Sequence, residues 1–91
     1  MALGPVGTLL EQKLISALHP SALTVIDESH HHHGHAGSHP EGESHFRIQI
    51  MADVFRGKSR VDQHRMVNAV LKNELATRVH ALAIESTAPP G

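Results

Sequence analysis

Residues 45–52 alternate between apolar and polar side chains, and this stretch constrains the fold more than any other feature of the chain. One set of alternate residues is apolar: Phe46, Ile48, Ile50 and Ala52. The other set is His45, Arg47, Gln49 and Met51. Successive side chains of a strand point to opposite faces of a sheet, so the alternation predicts a strand with one buried face. Such a strand needs neighbouring strands and a layer that covers its apolar side.

Two amphipathic segments predict the helices that cover this face. Thr8 and Glu11 have the spacing of a capping box, so we expect the first helix to begin at Thr8 and to end at the His-Pro pair 19–20. Ser59 is expected to cap a second helix. The apolar positions of these helices are Leu10, Leu14 and Leu18 in the first, and Val61, Val67, Val70, Leu71 and Leu75 in the second.

Two more strands are predicted at 23–27 and 79–85, from their β-branched and apolar composition. The order helix, strand, strand, helix, strand places the last two strands parallel and as neighbours, because a helix connects them. The predicted fold class is therefore α+β, a three-stranded mixed sheet with helices packed on it. We expect residues 1–7 to be a flexible leader, 8–87 the domain and 88–91 a flexible tail.

A histidine-rich connection, residues 30–44, joins the first two predicted strands. Neutral imidazole suits Zn, Cu, Ni and Fe as a ligand, and a loop this long in a compact domain is mostly functional or disordered. The residues alone leave open a metal site, a flexible loop with adventitious metal affinity, and an engineered tag. Protonation of all ten histidines would change the formal charge from −1 to +9, so the surface charge varies strongly below neutral pH.

The composition excludes several classes of protein. The chain has no cysteine, which excludes a disulfide framework, a thiolate zinc site and an iron–sulfur cluster held by this chain's thiolates. A formal charge of −1 argues against binding to anionic membranes. The presence of only two aromatic residues argues against nucleic-acid binding through base stacking. No catalytic triad, phosphate-binding loop or membrane-spanning apolar run is present, so we expect a non-enzymatic, cytoplasmic domain without a membrane partner.

Basic residues cluster around Gly57 and the start of the second predicted helix. They are Arg56, Lys58, Arg60 and Arg65. This cluster is either an anion site assisted by the helix dipole or a solvated helix face. The chain also has two isolated histidines, His64 and His80. Judged from the residues alone, they are more typical of structural positions than of metal ligands.

Five ordered motifs together resemble the BolA family across residues 8–87. They are Asp27-Glu28-Ser29, Gly42-Glu43-Ser44-His45-Phe46, Phe55-Arg56-Gly57-Lys58, His64-Arg65-Met66-Val67-Asn68 and Val79-His80-Ala81-Leu82. The family pattern usually has an arginine before the His-Arg pair, where this chain has Gln63. The resemblance implies a fold similar to the type II KH module.

The resemblance implies a partnership with a monothiol glutaredoxin, in which a [2Fe-2S] cluster is shared for iron–sulfur trafficking or for iron and stress regulation. The family's histidine ligand at the last strand maps to His80. The second ligand maps to the histidine-rich connection at His32, with His33 and His35 as alternatives. Two imidazoles can replace two thiolates on one iron, and the partner with its glutathione would supply the remaining sulfur.

The second implied role is a DNA-binding transcriptional regulator of morphology and stress genes. Its contacts would come from Arg56, Lys58, Arg60, His64, Arg65 and Asn68. A third interpretation is a metal-binding protein that holds Zn or Ni with the histidine run alone. We favour cluster sharing, because so few cations in a chain of net charge −1 give a weak phosphate attraction. Alone, the domain is expected to be a monomer or a weak homodimer.

Overall fold

The computed structural model describes residues 3–29 and 44–90, and the rest of the chain lies outside the description that follows. The helices and strands are α1 Pro5–Leu18, β1 Ala22–Asp27, β2 His45–Met51, α2 Arg60–Val70, α3 Lys72–Thr77 and β3 Ala81–Thr87, with a 3₁₀ turn at Asp53–Phe55. This order confirms the α+β prediction. The second predicted helix is divided at Leu71 into α2 and α3.

The three strands form one mixed sheet in the order β1-β2-β3, so β2 is central. β1 and β2 are antiparallel, with Val25 opposite Ile48. β2 and β3 are parallel, with Ile48 opposite Ile84, which confirms the predicted parallel pair. The amino end of β3 therefore lies beside the amino end of β2, at the end of the sheet where β1 finishes.

The core lies on one face of the sheet, under α1 and α2. The apolar set of alternate residues of β2 is buried there, as the alternation predicts. α1 packs against β1, α2 packs against β3, and the two helices contact each other. The buried core residues are Leu10, Leu14, Leu18, Val25, Phe46, Ile48, Ile50, Ala52, Phe55, Val67, Leu71 and Val79.

The opposite face of the sheet carries an ion-pair bridge centred on Arg47. Its Nε lies 2.9 Å from Glu28 Oε2, and its Nη1 lies 2.6 Å from Glu85 Oε2. These hydrogen bonds, that of Glu28 first and then that of Glu85, raise the pKa of Arg47 above its ordinary value. Glu28 directly follows β1, so the bridge ties the three strands together.

The first helix begins earlier than predicted. α1 starts at Pro5 with Gly4 as its N-cap, and no side chain caps it. Proline at the first helical position has its φ preset for a helix and lacks one of the amides that a helix start leaves unpaired, so Pro5 favours a start ahead of the predicted capping box. Thr8 lies inside the helix, where its hydroxyl donates to the Leu3 carbonyl at 3.5 Å. Residues 5–7, which belong to the predicted leader, thus lie in α1.

Gly7 brings the start of α1 close to the sheet. A Cβ added at this residue would lie 3.2 Å from Phe46 Cε1 and 2.9 Å from Leu3 Cδ2. Such contacts are tighter than those of ordinary side chains, so the absent Cβ allows Phe46 to pack directly against the helix backbone. This approach places β2 under α1.

Two predicted details of the helices and strands differ from the structure, and two residues of the predicted tail contact the domain. Val61 is 58% exposed and does not belong to the core. β3 starts at Ala81, because the Val79 amide donates to the Glu74 carbonyl at 2.7 Å and closes α3. In the predicted tail, Ala88 packs against the core, and the Pro89 carbonyl accepts a hydrogen bond from Arg56 Nη2 at 3.0 Å.

Candidate metal-ligand site

Hydrogen bonds around Ser29 join the two ends of the histidine-rich connection, which is called the histidine-rich segment from here on. This group of hydrogen bonds is called the base of the segment. Ser29 Oγ accepts from the amides of Ser44 at 2.8 Å and His45 at 3.2 Å, and it donates to Asp27 Oδ1 at 2.5 Å. The same carboxylate oxygen accepts from the Ser29 amide at 2.9 Å, the local turn that aspartate side chains favour. The chain therefore leaves β1 and enters β2 at one common point.

Ser44 connects this base to the start of β3. Its carbonyl accepts from the amides of His80 at 2.7 Å and Ala81 at 3.1 Å, and the residue is 1% exposed. His80 itself is exposed. These contacts hold the exposed imidazole of His80 at the end of the sheet where the histidine-rich segment begins and ends.

A second histidine lies beside His80. The ring centroids of His45 and His80 are 5.3 Å apart, with planes inclined by 51°. His45 Nδ1 lies 2.9 Å from Ser44 Oγ, and His45 is buried. In the sequence, His45 belongs to the strand pattern and to the Gly42–Phe46 motif, and neither predicts its contact with His80. The parallel register places His45 opposite Ala81, and this pairing is the signal that could have identified the contact with His80.

The other predicted ligands, His32, His33 and His35, lie outside the described residues. Within 3–29 and 44–90, no group of three or more His, Cys, Asp or Glu side chains is arranged to hold a metal ion. The described part of the site is therefore a pair of imidazoles supported by Ser44.

The predicted basic cluster lies around the turn before α2. Arg56 pairs with Asp53 at 3.0 Å, and Arg65 lies 3.7 Å from Asp62, each within one helical turn. Lys58 and Arg60 are exposed, and so is Asn68. Two of the four cations are thus partly neutralised by neighbouring carboxylates.

His64 belongs to the same region as Arg60, and both residues line a groove of about 650 Å³ near the carboxyl ends of β2 and β3. This groove lies at the end of the sheet opposite His80. Gln63 fixes α2 nearby: its Nε2 donates to the Lys58 carbonyl at 2.9 Å, and its Oε1 accepts from Ser86 Oγ at 2.7 Å. The basic residues and the imidazole pair are therefore two separate places on the domain.

In the described parts of the chain, no helix combines the length and the apolar character needed to cross a bilayer.

Comparisons with known proteins agree on one family. The family model described as BolA-like protein matches residues 14–90. An uncharacterised Sinorhizobium protein encoded in a cobS 5′ region is 52% identical, with 88% of this chain and 87% of that protein covered. The DNA-binding transcriptional regulator BolA of Escherichia coli is 43% identical, with coverages of 85% and 70%.

Solved structures show the same fold. The BolA domain of SufE1 from Arabidopsis thaliana superposes with a TM-score of 0.88 at 41% identity, and the match covers 97% of this chain and 96% of that one. The element order, the mixed sheet and the sequence matches lead to the same conclusion. The chain belongs to the BolA family, whose members are not enzymes.

Proposed function

We propose that this protein is the partner of a monothiol glutaredoxin and shares a [2Fe-2S] cluster with it, in iron–sulfur trafficking or in iron and stress regulation. The observation that carries the proposal is the position of His80. It is exposed, its amide is bound to Ser44, and it lies where the histidine-rich segment joins the sheet. An accessible, well-anchored imidazole is the group that an incoming iron atom requires.

The ligand chemistry supports this proposal. A chain without cysteine cannot supply the thiolates of a cluster, so sulfur ligands must come from a partner. Imidazole can replace thiolate at one iron of a [2Fe-2S] cluster, as in Rieske centres. In this proposal His80 contributes imidazole from one side, and the glutaredoxin with its bound glutathione contributes the sulfur.

His32 is the proposed second ligand, with His33 and His35 as alternatives. Ser29 and His80 are both hydrogen-bonded to Ser44. His32 follows Ser29 by three residues, and three extended residues span about 10 Å. The chain length therefore allows a histidine early in the segment to approach His80.

The test is a titration of this chain with a cluster-loaded monothiol glutaredoxin, followed by visible absorption and circular dichroism. A heterodimer with an altered visible spectrum is expected, and His80→Ala should abolish the change. His19→Asn is the matched control: His19 is exposed and precedes β1 at the opposite end of the sheet. An unaltered response in His80→Ala would remove His80 from the site.

DNA binding is the second candidate, and the Escherichia coli relative's name favours it. Lys58 and Arg60 are exposed, and Arg60 lines the groove. The ion pairs of Arg56 and Arg65 oppose a strong phosphate attraction. Arg60→Ala should weaken binding to a specific promoter fragment in fluorescence anisotropy at physiological salt, and His80→Ala should not. Binding that is equal for all fragments would count against a regulatory role.

A further inference from the structure

We propose that His45 and His80 form a two-imidazole site for a divalent metal ion of borderline softness, such as Cu²⁺, Ni²⁺ or Zn²⁺, in the free domain. Their ring centroids lie 5.3 Å apart. An ion bonded to a ring nitrogen at about 2.0–2.1 Å lies roughly 3.2 Å from that ring's centroid, so two imidazoles on one tetrahedral ion have centroids roughly 5.2 Å apart. The centroid spacing of the pair thus matches that of two imidazoles on one ion.

Ser44 holds both ligand residues. Its Oγ lies 2.9 Å from His45 Nδ1, and its carbonyl accepts from the His80 amide at 2.7 Å. When His45 Nδ1–H donates to Ser44 Oγ, the other ring nitrogen keeps the lone pair that a metal ion needs. Metal-bound histidines commonly have such a hydrogen bond on their second nitrogen. Ser44 is therefore a positioning residue of the proposed site.

The two imidazoles differ in accessibility. His80 is exposed and meets an ion from solvent, whereas His45 is 7% exposed and provides a fixed inner ligand. Within the described residues, no third His, Cys, Asp or Glu side chain completes a metal site with the pair. We therefore expect weaker binding than at a four-ligand structural zinc site, with Cu²⁺ bound more tightly than Ni²⁺ or Zn²⁺.

A bound divalent ion would also occupy the imidazole that the proposed cluster exchange uses. This competition rests on the proposed function, because it needs His80 as an iron ligand. The two-imidazole site itself does not depend on a glutaredoxin.

The test uses the full chain with the six histidines of segment 30–43 replaced by serine, which leaves His19, His45, His64 and His80. Calorimetric titration with Ni²⁺ and Zn²⁺ should show one bound ion per chain, and the electron paramagnetic resonance spectrum of the Cu²⁺ complex should show two coupled nitrogens. Loss of an outer-shell partner costs about 10–100-fold in metal affinity, so His80→Ala, which removes a ligand, should cost more than about tenfold.

Three further variants keep the test decisive. Because His45 is buried, the folding of the His45→Gln variant is checked by its amide NMR spectrum. This variant should lower the metal affinity as His80→Ala does. Ser44→Ala should weaken the affinity by about tenfold, since it removes the hydrogen bond that orients His45. His64→Gln, matched in residue type and distant from the pair, should leave the affinity unchanged.

Failure of this site and failure of the proposed function are distinguishable. No binding by the serine-substituted chain, or equal binding after His80→Ala, would overturn the two-imidazole site even if the glutaredoxin titration succeeds. Metal binding with the expected variant pattern would support the site even if no cluster is shared.

Discussion

Lys13 Nζ lies 2.9 and 2.8 Å from the two carboxylate oxygens of Glu74, and this contact joins α1 to α3 across 61 positions of the chain. The Glu74 side chain is only 10% exposed, and Lys13 supplies the opposite charge beside this nearly buried carboxylate. α3 is short, and the Glu74 carbonyl also accepts from the Val79 amide that precedes His80. The ion pair therefore supports the helix that leads into the candidate site.

Lys13→Met should destabilise the domain by about 2 kcal/mol, because a nearly buried carboxylate loses its counter-charge. Urea unfolding monitored by circular dichroism measures the change. Lys72→Met is the matched control, since Lys72 is an exposed lysine of α3, and it should change stability by less than about 0.5 kcal/mol. Equal effects of the two substitutions would contradict the importance of the buried pair.

His19→Gly should stabilise the protein. His19 ends α1 with φ 48° and ψ 55°, a left-handed conformation that a Cβ disfavours. Removal of the Cβ should add about 1 kcal/mol to the free energy of unfolding. His64→Gly, inside α2, should instead cost about 0.5 kcal/mol, because glycine is the poorer helix former. Thermal unfolding separates the two, and a loss of stability in His19→Gly would be the contrary result.

Ser29→Ala should destabilise the base of the histidine-rich segment. The substitution leaves the amides of Ser44 and His45 without the oxygen that accepts from them, at a cost of about 2 kcal/mol. Hydrogen exchange at these two amides should accelerate. Ser21→Ala, which removes one exposed hydroxyl contact to the Met51 carbonyl, should have little effect. Unchanged protection in Ser29→Ala would show that the base does not need this hydroxyl.

Arg47→Met should lower stability by an amount that does not vary with pH near neutrality. The hydrogen bonds to Glu28 and Glu85 raise the pKa of Arg47 above its ordinary value. A raised pKa means that the stabilisation is fully present below that ordinary value and is lost only as pH rises beyond the folded-state pKa. The difference between Arg47→Met and the parent should therefore be equal at about pH 7 and about pH 9. It should shrink in high salt, because the ion pairs are partly exposed.

The parts of the fold that local periodicity encodes could be predicted from the sequence. The alternation around Ile48 predicts the central strand and its buried face, and the order of elements predicts the parallel pair. The start of α1 was predicted less accurately. Thr8 and Glu11 have the spacing of a capping box, although they lie inside a helix that begins at Pro5. Val61 follows the helical pattern yet is exposed, since periodicity does not state how wide a face the sheet covers.

The candidate site could be predicted only in part. The family resemblance singled out His80, but the proximity of His45 depends on register, and the support of both by Ser44 depends on backbone geometry. Contacts such as Lys13 with Glu74 leave no local trace in the sequence, because two distant helices must first pack.

The hydrogen bond between Ser29 Oγ and the Ser44 amide has a consequence for how this protein can diverge. The core, the sheet and the His45–His80 pair all lie on the domain side of that bond. The closure entropy of a flexible connection rises by only about 0.6 kcal/mol for each doubling of its length. Changes in the number of imidazoles between these two serines should therefore leave the stability of the folded body nearly unchanged.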